Sequence, residues 1–168
     1  MMTRLVFVCE GNVCRSPMAE ALLKDILLAR KIDGVVVSSC GLRAQDGAYA
    51  HSELESVIGD AYRHLSNFSS RTINEEIVGE ADYLLAMEDR HVREINVRFP
   101  ATKGKTFTIS EFAGARGEIK DFIDSDEPDI LDWIKNCYIE MSDVLPKVAE
   151  RISSLKKTGP ERSSKKAS

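Results

Sequence analysis

The feature that most constrains the fold is an apolar run that passes through a short polar loop into a helical pattern. Residues 5–8 are apolar, β-branched or aromatic, as in a buried strand. Gly11 and Asn12, residue types that tolerate positive φ, lie in the loop that follows. Ser16 and Pro17 then predict an N-cap and a first helical residue. The segment predicts a strand, a tight loop and a helix.

This loop carries a thiol, Cys9, at one end and a guanidinium, Arg15, at the other. Left-handed kinks point successive backbone N–H groups inward, and the following helix adds the positive end of its dipole. Arg15 can bind two oxygens of one anion. The same positive field favours a thiolate at Cys9, and Ser16 can donate a hydrogen bond to that sulfur. The segment therefore predicts a tetrahedral oxyanion held against a nucleophilic sulfur.

The run Cys-Glu-Gly-Asn-Val-Cys-Arg-Ser-Pro-Met-Ala-Glu resembles the active-site loop of the low-molecular-weight protein tyrosine phosphatases, and weaker similarity spans residues 4–153. The resemblance implies hydrolysis of phosphate monoesters, with phosphotyrosine in proteins as first choice, through a phosphocysteine intermediate and without metal or other cofactor. It implies catalytic roles for Cys9 and Arg15. It also implies that the phosphate-binding residues are Glu10, Gly11, Asn12, Val13, Cys14, Arg15 and Ser16.

The resemblance also implies a supporting hydrogen-bond network of Asn12, Ser16 and Ser39. Glu88 stands where the family often has an Asp after the third strand, and ordinary strand-end capping is the alternative for it and for Ser39. A family histidine that braces the network is replaced here by Phe68, which predicts an incomplete network. Cys14, by the same resemblance, is a possible partner of Cys9 in a reversible disulfide, and a small packing residue is the alternative.

Phosphate-ester cleavage by a thiolate needs a proton for the leaving oxygen and then a base for the attacking water, and one carboxyl group can supply both. In the resembling family this group is the Asp of an Asp-Pro loop before the last helix. The equivalent residue here is Asp121, although Phe122 replaces the proline. Asp124 and Asp126 remain alternatives as the acid, and helix capping is the other explanation for both.

The rim of the site bears on the substrate. Glu10 and Asp46 are expected to make the lip negative, and Phe122 is the substitute for a missing rim aromatic. Val13, which by resemblance faces the substrate, is apolar as in tyrosine-directed members, whereas a Thr there would resemble phosphoarginine-directed ones. Phosphotyrosine is therefore the first expectation and phosphoarginine an alternative.

Two other functions stay open at this point. A thiol-dependent arsenate reductase on the same loop would need further cysteines that reach Cys9, whereas Cys40 and Cys137 are expected to be core residues. A non-catalytic phosphate-binding regulatory module would keep the loop and lose the acid, and the replacement of proline by Phe122 is the one feature that favours it.

Composition limits the class of protein. With 168 residues, 43% of them apolar, the chain predicts one phosphatase domain over 1–155, followed by a disordered basic tail over 156–168. A net charge of −4 argues against general nucleic-acid binding. The absence of a long apolar run or a secretory pattern predicts no membrane contact and a cytoplasmic location. Scattered cysteines and histidines argue against a zinc site.

The expected partner is a phosphorylated protein, and a tyrosine kinase is among the candidates. The expected oligomeric state is a monomer or a weak dimer.

Strands alternate with helices along the chain. Strands are predicted at 4–9, 35–40, 83–87 and 105–109, and helices at 17–30, 51–63, 73–79, 89–99 and 129–152. This alternation predicts an α/β three-layer sandwich around a four-stranded parallel sheet with helices on both faces, and the resemblance implies strand order 2-1-3-4. Cys9 then lies beyond the carboxyl end of a strand, where such sheets bind ligands. Pro146 is expected to kink or split the last helix.

Overall fold

A parallel sheet forms the centre of the protein in the computed structural model, which describes residues 1–158. Its strands run in the order β2-β1-β3-β4, and every neighbouring pair is parallel. The predicted fold class and strand order are thereby confirmed, and each predicted strand boundary lies within one residue of the observed one. The strands are β1 (Thr3–Cys9), β2 (Val35–Gly41), β3 (Tyr83–Ala86) and β4 (Thr106–Thr108).

Helices cover both faces of the sheet. In the third of them the side chain of Asn74 accepts a hydrogen bond from the Ile77 N–H at 2.9 Å and so caps the N-terminus of the helix. Three short 3₁₀ helices, at Gly59–Leu65, Pro100–Thr102 and Phe122–Asp124, complete the secondary structure of the described residues. The α-helices are α1 (Arg15–Ala29), α2 (Leu54–Ile58), α3 (Glu75–Glu80), α4 (Asp89–Arg98), α5 (Ile109–Phe112) and α6 (Ile130–Thr158).

The side chains of β1 alternate between two layers of the core, one on each face of the sheet. Leu5 and Phe7 belong to the cluster that includes the apolar faces of α1, α2, α5 and α6. Val6 and Val8 belong to the opposite cluster, with side chains of α3 and α4. Successive strand residues point to opposite faces, so an unbroken apolar run is what a sheet buried on both sides requires. The three-layer sandwich follows from this pattern.

Two local predictions are wrong. The single helix expected over 51–63 is interrupted at Gly59, which adopts φ +60° and ends α2 before a 3₁₀ helix begins. Glycine takes this left-handed conformation at little cost, so the residue acts as a helix stop. The sequence analysis placed no helix between β4 and the last helix, whereas the structure contains α5 there, and the Thr108 side chain caps it by accepting a hydrogen bond from the Glu111 N–H at 3.0 Å.

The last helix also differs from expectation. It continues as one helix through Pro146, so the predicted split does not occur there, and it extends to Thr158. The prediction that the tail is disordered from 156 onward is wrong for its first three residues, because Lys156 Nζ donates to the Asp33 carbonyl and joins the helix to the loop before β2. Residues 159–168 lie outside the described part of the chain. Within residues 1–158, no helix is long and apolar enough to cross a membrane.

The sheet brings two distant segments to one edge. Cys9 is the last residue of β1, and Glu88 follows β3 by two residues. Val8 and Ala86 are partners in the parallel register of these strands, and the Met87 N–H donates to the Val8 carbonyl at 3.1 Å. The carboxyl ends of β1 and β3 are therefore adjacent, and the side chains that follow them can share one site.

Candidate active site

The start of α1 differs from the sequence prediction in a way that matters for the site. The helix begins at Arg15, with the Met18 N–H donating to the Cys14 carbonyl at 3.0 Å. Ser16 is therefore not the N-cap, and Pro17 lies in the first turn, where no backbone N–H has a partner within the helix. The Ser16 hydroxyl instead lies 3.0 Å from the Cys9 sulfur. A residue expected to cap the helix thus contacts the nucleophile.

The loop itself forms a nest around Cys9. Asn12 takes the left-handed conformation with φ +54°, whereas Gly11 does not adopt a positive φ, so one of the two expected kinks is present. The Asn12 N–H donates to the Cys9 sulfur at 3.2 Å. The thiol is buried at the base of the loop. An inward-pointing N–H at this position is what anion binding by such a loop requires.

The Asn12 side chain organises the supporting network. Its Nδ2 donates to Ser16 Oγ at 2.8 Å and to Ser39 Oγ at 3.0 Å, and its Oδ1 accepts from the Arg71 N–H at 3.0 Å. Because Ser16 Oγ already accepts from Asn12, its single proton is available for the Cys9 sulfur. The Arg71 backbone completes the network without a histidine, so the predicted incompleteness caused by Phe68 is wrong.

Arg15 joins three segments through buried contacts. Its Nη1 donates to Glu88 Oε2 at 2.7 Å and to the Ile119 carbonyl at 2.8 Å, and its Nη2 donates to Asp121 Oδ2 at 3.1 Å. The guanidinium is 3% exposed and the Glu88 side chain 6%. The structure thus brings Arg15, at the end of the Cys9 loop, into contact with Asp121, and the sequence analysis had selected both from separate parts of the chain.

Glu88 was placed at this edge by the sequence, but its partners were not identified. Burial raises the pKa of its carboxyl group, and the hydrogen bonds donated by Arg90 and Arg15 outweigh this, so the pKa is lowered overall. Arg90 donates from Nε at 3.3 Å and from Nη2 at 3.0 Å. Glu88 therefore remains ionised and holds two guanidinium groups at the mouth of the site.

The loop at Asp121 is held by hydrogen bonds, and Phe122 stands there in place of the proline of the resembling family. Asp121 Oδ1 accepts from the Phe122 N–H at 2.6 Å and caps a 3₁₀ helix. Trp133 Nε1 donates to the Lys120 carbonyl at 2.9 Å, and the Ile119 N–H donates to the Met87 carbonyl at 3.0 Å. These contacts place the Asp121 carboxyl group beside Arg15 although the Asp-Pro pair is missing.

The alternative acids lie elsewhere. Asp124 and Asp126 are exposed and line a cavity of about 260 Å³ together with residues of α6, and Cys9 does not line it. Neither carboxylate forms an ion pair with Arg15. The geometry therefore favours Asp121 over both. In the described part of the chain, no three His, Cys, Asp or Glu side chains are grouped so as to hold a metal ion.

Comparison with known proteins decides the family. Residues 4–158 match the model of the family described as low molecular weight phosphotyrosine protein phosphatase. The chain belongs to this family. It is a cysteine-dependent phosphatase of the α/β type described above.

Individual relatives of this phosphatase fall into two groups. A protein-arginine-phosphatase of Geobacillus stearothermophilus is 39% identical over 119 residues, which are 70% of this chain and 77% of the relative. The low molecular weight protein-tyrosine-phosphatase PtpA of Staphylococcus haemolyticus is 36% identical over 131 residues, 76% of this chain and 78% of the relative. A solved structure of a YwlE arginine phosphatase mutant with a phosphorylated active-site serine superposes on this chain with a TM-score of 0.81. The two sequences are 29% identical, and the superposition covers 94% of this chain and 100% of that one.

At the rim of this phosphatase the predicted negative charge of Glu10 is offset by Arg43. Glu10 accepts hydrogen bonds from Arg43 Nε and, at 3.2 Å, from Arg43 Nη2. Asp46 Oδ1 accepts from the Thr72 N–H at 2.7 Å. The expected rim aromatic, Phe122, instead packs against the Trp133 ring, at a centroid distance of 5.9 Å. The carboxylate beside the nucleophile is therefore neutralised by a cation that the sequence did not connect with it.

The other cysteines of the phosphatase are buried thiols without disulfides. Burial raises the pKa of Cys40 and of Cys137 to about 12, consistent with their predicted place in the core. Burial also raises the pKa of Cys14, and the neighbouring charges of Cys137 and Cys9 raise it further. All three remain protonated at neutral pH.

A buried histidine beneath the site was not selected from the sequence. The His91 ring is 1% exposed, and neither of its nitrogens has a hydrogen-bond partner among the described residues. Its Nε2 lies 3.3 Å from Glu88 Oε2 and 3.7 Å from Glu10 Oε2. Burial and the charge of Arg15 lower the pKa of His91 from 6.5 to about 4, although Glu88 acts in the opposite direction. The imidazole is therefore neutral at physiological pH.

This burial predicts a pH dependence of stability. Between pH 6.5 and 4 the unfolded chain binds a proton at His91 that the folded protein does not. The free energy of unfolding must therefore fall as the pH falls through this window. Between pH 7 and pH 4.5 we expect the free energy of unfolding, measured by urea unfolding, to fall by about 2 kcal/mol more in the wild type than in His91→Gln. The half-exposed His51, changed to Gln, is the control and should keep the wild-type slope; parallel curves for wild type and His91→Gln would contradict the assignment.

Proposed function

We propose that this phosphatase hydrolyses phosphotyrosine in proteins, with Cys9 as nucleophile, Arg15 as phosphate ligand, and Asp121 as general acid and then general base. The observation that carries the proposal is the position of Arg15, which starts the helix behind the Cys9 loop and donates to Asp121 Oδ2 at 3.1 Å. Nucleophile, anion ligand and acid are thereby within one site.

We infer that substrate binding displaces Asp121 from Arg15. Arg15 Nη1 already donates to Glu88 and the Ile119 carbonyl, so phosphoryl oxygens would take the other side of the guanidinium, formed by Nε and Nη2, and Asp121 now contacts Nη2. Glu88 keeps the guanidinium in place during this exchange. The dianion replaces one carboxylate and releases the side chain that the chemistry needs.

The first chemical step forms the phosphocysteine. The Cys9 thiolate attacks phosphorus, the bond to the tyrosyl oxygen breaks, and Asp121, which takes up a proton from solvent after it leaves Arg15, gives that proton to the departing oxygen. Inward N–H groups such as that of Asn12, together with Arg15, stabilise the charge on the transferring phosphoryl oxygens.

The second step hydrolyses this intermediate. Asp121, now a carboxylate, takes a proton from the water that attacks phosphorus, and the sulfur leaves as a thiolate. The Ser16 hydroxyl, 3.0 Å from the Cys9 sulfur, stabilises the negative charge that returns to it. The contact from Asn12 leaves the hydroxyl proton of Ser16 for an acceptor, and the Cys9 sulfur at 3.0 Å is nearer than the Cys40 carbonyl at 3.4 Å.

Three single variants test these roles. Cys9→Ser should abolish hydrolysis of an aryl phosphate in the presence of a chelator, and Asp121→Asn should lower kcat/KM by about 10²- to 10⁴-fold through loss of the acid. Asp124→Asn is the matched control on the same loop and should remain within about twofold of wild type. The proposal fails if Asp121→Asn retains the wild-type rate or if Asp124→Asn is the inactive variant.

Phosphoarginine in proteins is the second candidate substrate. The protein-arginine-phosphatase from Geobacillus stearothermophilus, at 39% identity, is the observation that favours it. Val13 supports the first candidate, because it is half-buried beside the nest and offers an apolar surface suited to an aromatic stem. Tyr49, 89% exposed, and Ile123, 83% exposed, are available to contact a substrate protein.

Matched peptides that differ only in the phosphorylated residue separate the candidates. We expect wild-type kcat/KM to favour the phosphotyrosine peptide, and Val13→Thr to shift the ratio toward phosphoarginine by about tenfold or more, because a hydroxyl can accept from guanidinium N–H groups. Val97→Thr on the exposed side of α4 should leave the ratio unchanged. A wild-type preference for phosphoarginine would overturn the first candidate in favour of the second.

Partner, location and redox behaviour complete the proposal. We infer that a tyrosine kinase is among the phosphorylated protein substrates and that the enzyme is cytoplasmic, a location that four free thiols support.

Cys14 is the proposed partner of Cys9 in a reversible disulfide. The charge of Cys9 is one of the causes that raise the pKa of Cys14, which supports the proximity of the two thiols.

A further inference from the structure

Arg90 contacts carboxylates from all three segments that build the site. Its Nη2 lies 3.0 Å from Glu88 Oε2 and 3.8 Å from Asp121 Oδ2, and its Nη1 lies 3.8 Å from Glu10 Oε2. Its side chain is 43% exposed, in contrast with the buried Arg15. It therefore forms the solvent side of the same ionic cluster.

We propose that Arg90 is a positioning residue that keeps the general acid Asp121 over the phosphate nest while substrate occupies Arg15. The inference rests on the role proposed above for Asp121. Both arginines donate to the same Glu88 oxygen, Arg15 at 2.7 Å and Arg90 at 3.0 Å, and both approach the same Asp121 oxygen, at 3.1 Å and 3.8 Å.

The exchange at Arg15 is the reason that a second cation is needed. Once a phosphoryl oxygen takes Arg15 Nη2, Asp121 loses its ion pair there. Arg90 is then the remaining guanidinium within 4 Å of the Asp121 carboxyl group in the described part of the chain. It offers this group a contact on the solvent side without competing for the phosphate position.

Glu88 makes Arg90 suitable for this task. The guanidinium is held through Nε at 3.3 Å and Nη2 at 3.0 Å, which restricts rotation of an otherwise exposed side chain. Nη1 does not take part in this bidentate contact. A group fixed in this way can orient a carboxyl group more effectively than a freely rotating lysine.

The consequence depends on the leaving group. Proton donation by Asp121 contributes most to the rate when the departing oxygen is a poor leaving group, and little when that oxygen leaves without a proton. A residue that acts by positioning Asp121 must therefore affect hydrolysis of substrates with poor leaving groups selectively. A residue that merely supports Glu88 and Arg15 would impair phosphate binding for both kinds.

The test compares Arg90→Gln and wild type on phenyl phosphate, a poor leaving group, and 2,4-dinitrophenyl phosphate, a good one. We expect kcat/KM to fall about tenfold for the first and less than about twofold for the second. Arg90→Lys should recover part of the loss. Arg93→Gln, an exposed arginine of the same helix, is the matched control and should resemble wild type on both substrates.

The double variant Arg90→Gln with Asp121→Asn makes the result decisive. If Arg90 acts through Asp121, its removal should change kcat/KM less than about twofold in the Asp121→Asn background. An equal loss on both substrates, or the same loss in both backgrounds, overturns the inference and leaves Arg90 as a support for Glu88. Wild-type activity of Asp121→Asn alone would instead overturn the proposed function.

Discussion

The buried ion pair between Arg15 and Glu88 is the interaction on which the site depends. Two charges that are almost fully withdrawn from water are costly unless their geometry and remaining hydrogen bonds are satisfied. Here the Ile119 carbonyl and Arg90 provide the further contacts. The pair therefore specifies a geometry more than it adds stability, and it does so by joining the loop after β1 to the end of β3.

That geometry places Asp121 on the side of Arg15 that an incoming anion would approach. With Glu88 and the Ile119 carbonyl on Nη1, the Nη2 side of Arg15 contacts Asp121 and is the side that we propose an anion takes. The proposed general acid thus lies beside the position at which it would act, in a loop that has Phe122 where the family has a proline. Glu10 and Arg43 add an exposed pair that cancels the charge next to the nucleophile. Substrate binding becomes an exchange of anions within a nearly neutral cluster.

Local patterns predicted most of the fold and only part of the site. Strand positions follow from apolar runs, and the loop from Cys9 to Arg15 follows from residue types at fixed spacing, because both signals lie within a short segment. Contacts between distant segments left no such signal. The Arg71 N–H that completes the Asn12 network lies 59 residues from it, and Arg43 lies 33 residues from Glu10. Only the folded chain shows these partners.

The central claim is that phosphate replaces Asp121 at Arg15 while Glu88 stays in place. A crystal structure of the wild-type enzyme with bound phosphate tests it most directly. The account predicts a phosphate oxygen on Arg15 Nη2, an unbroken Arg15–Glu88 pair, and an Asp121 carboxyl group more than about 4 Å from Arg15, beyond ion-pair distance. Phosphate bound in the Cys9 loop with the Arg15–Asp121 contact intact would contradict it.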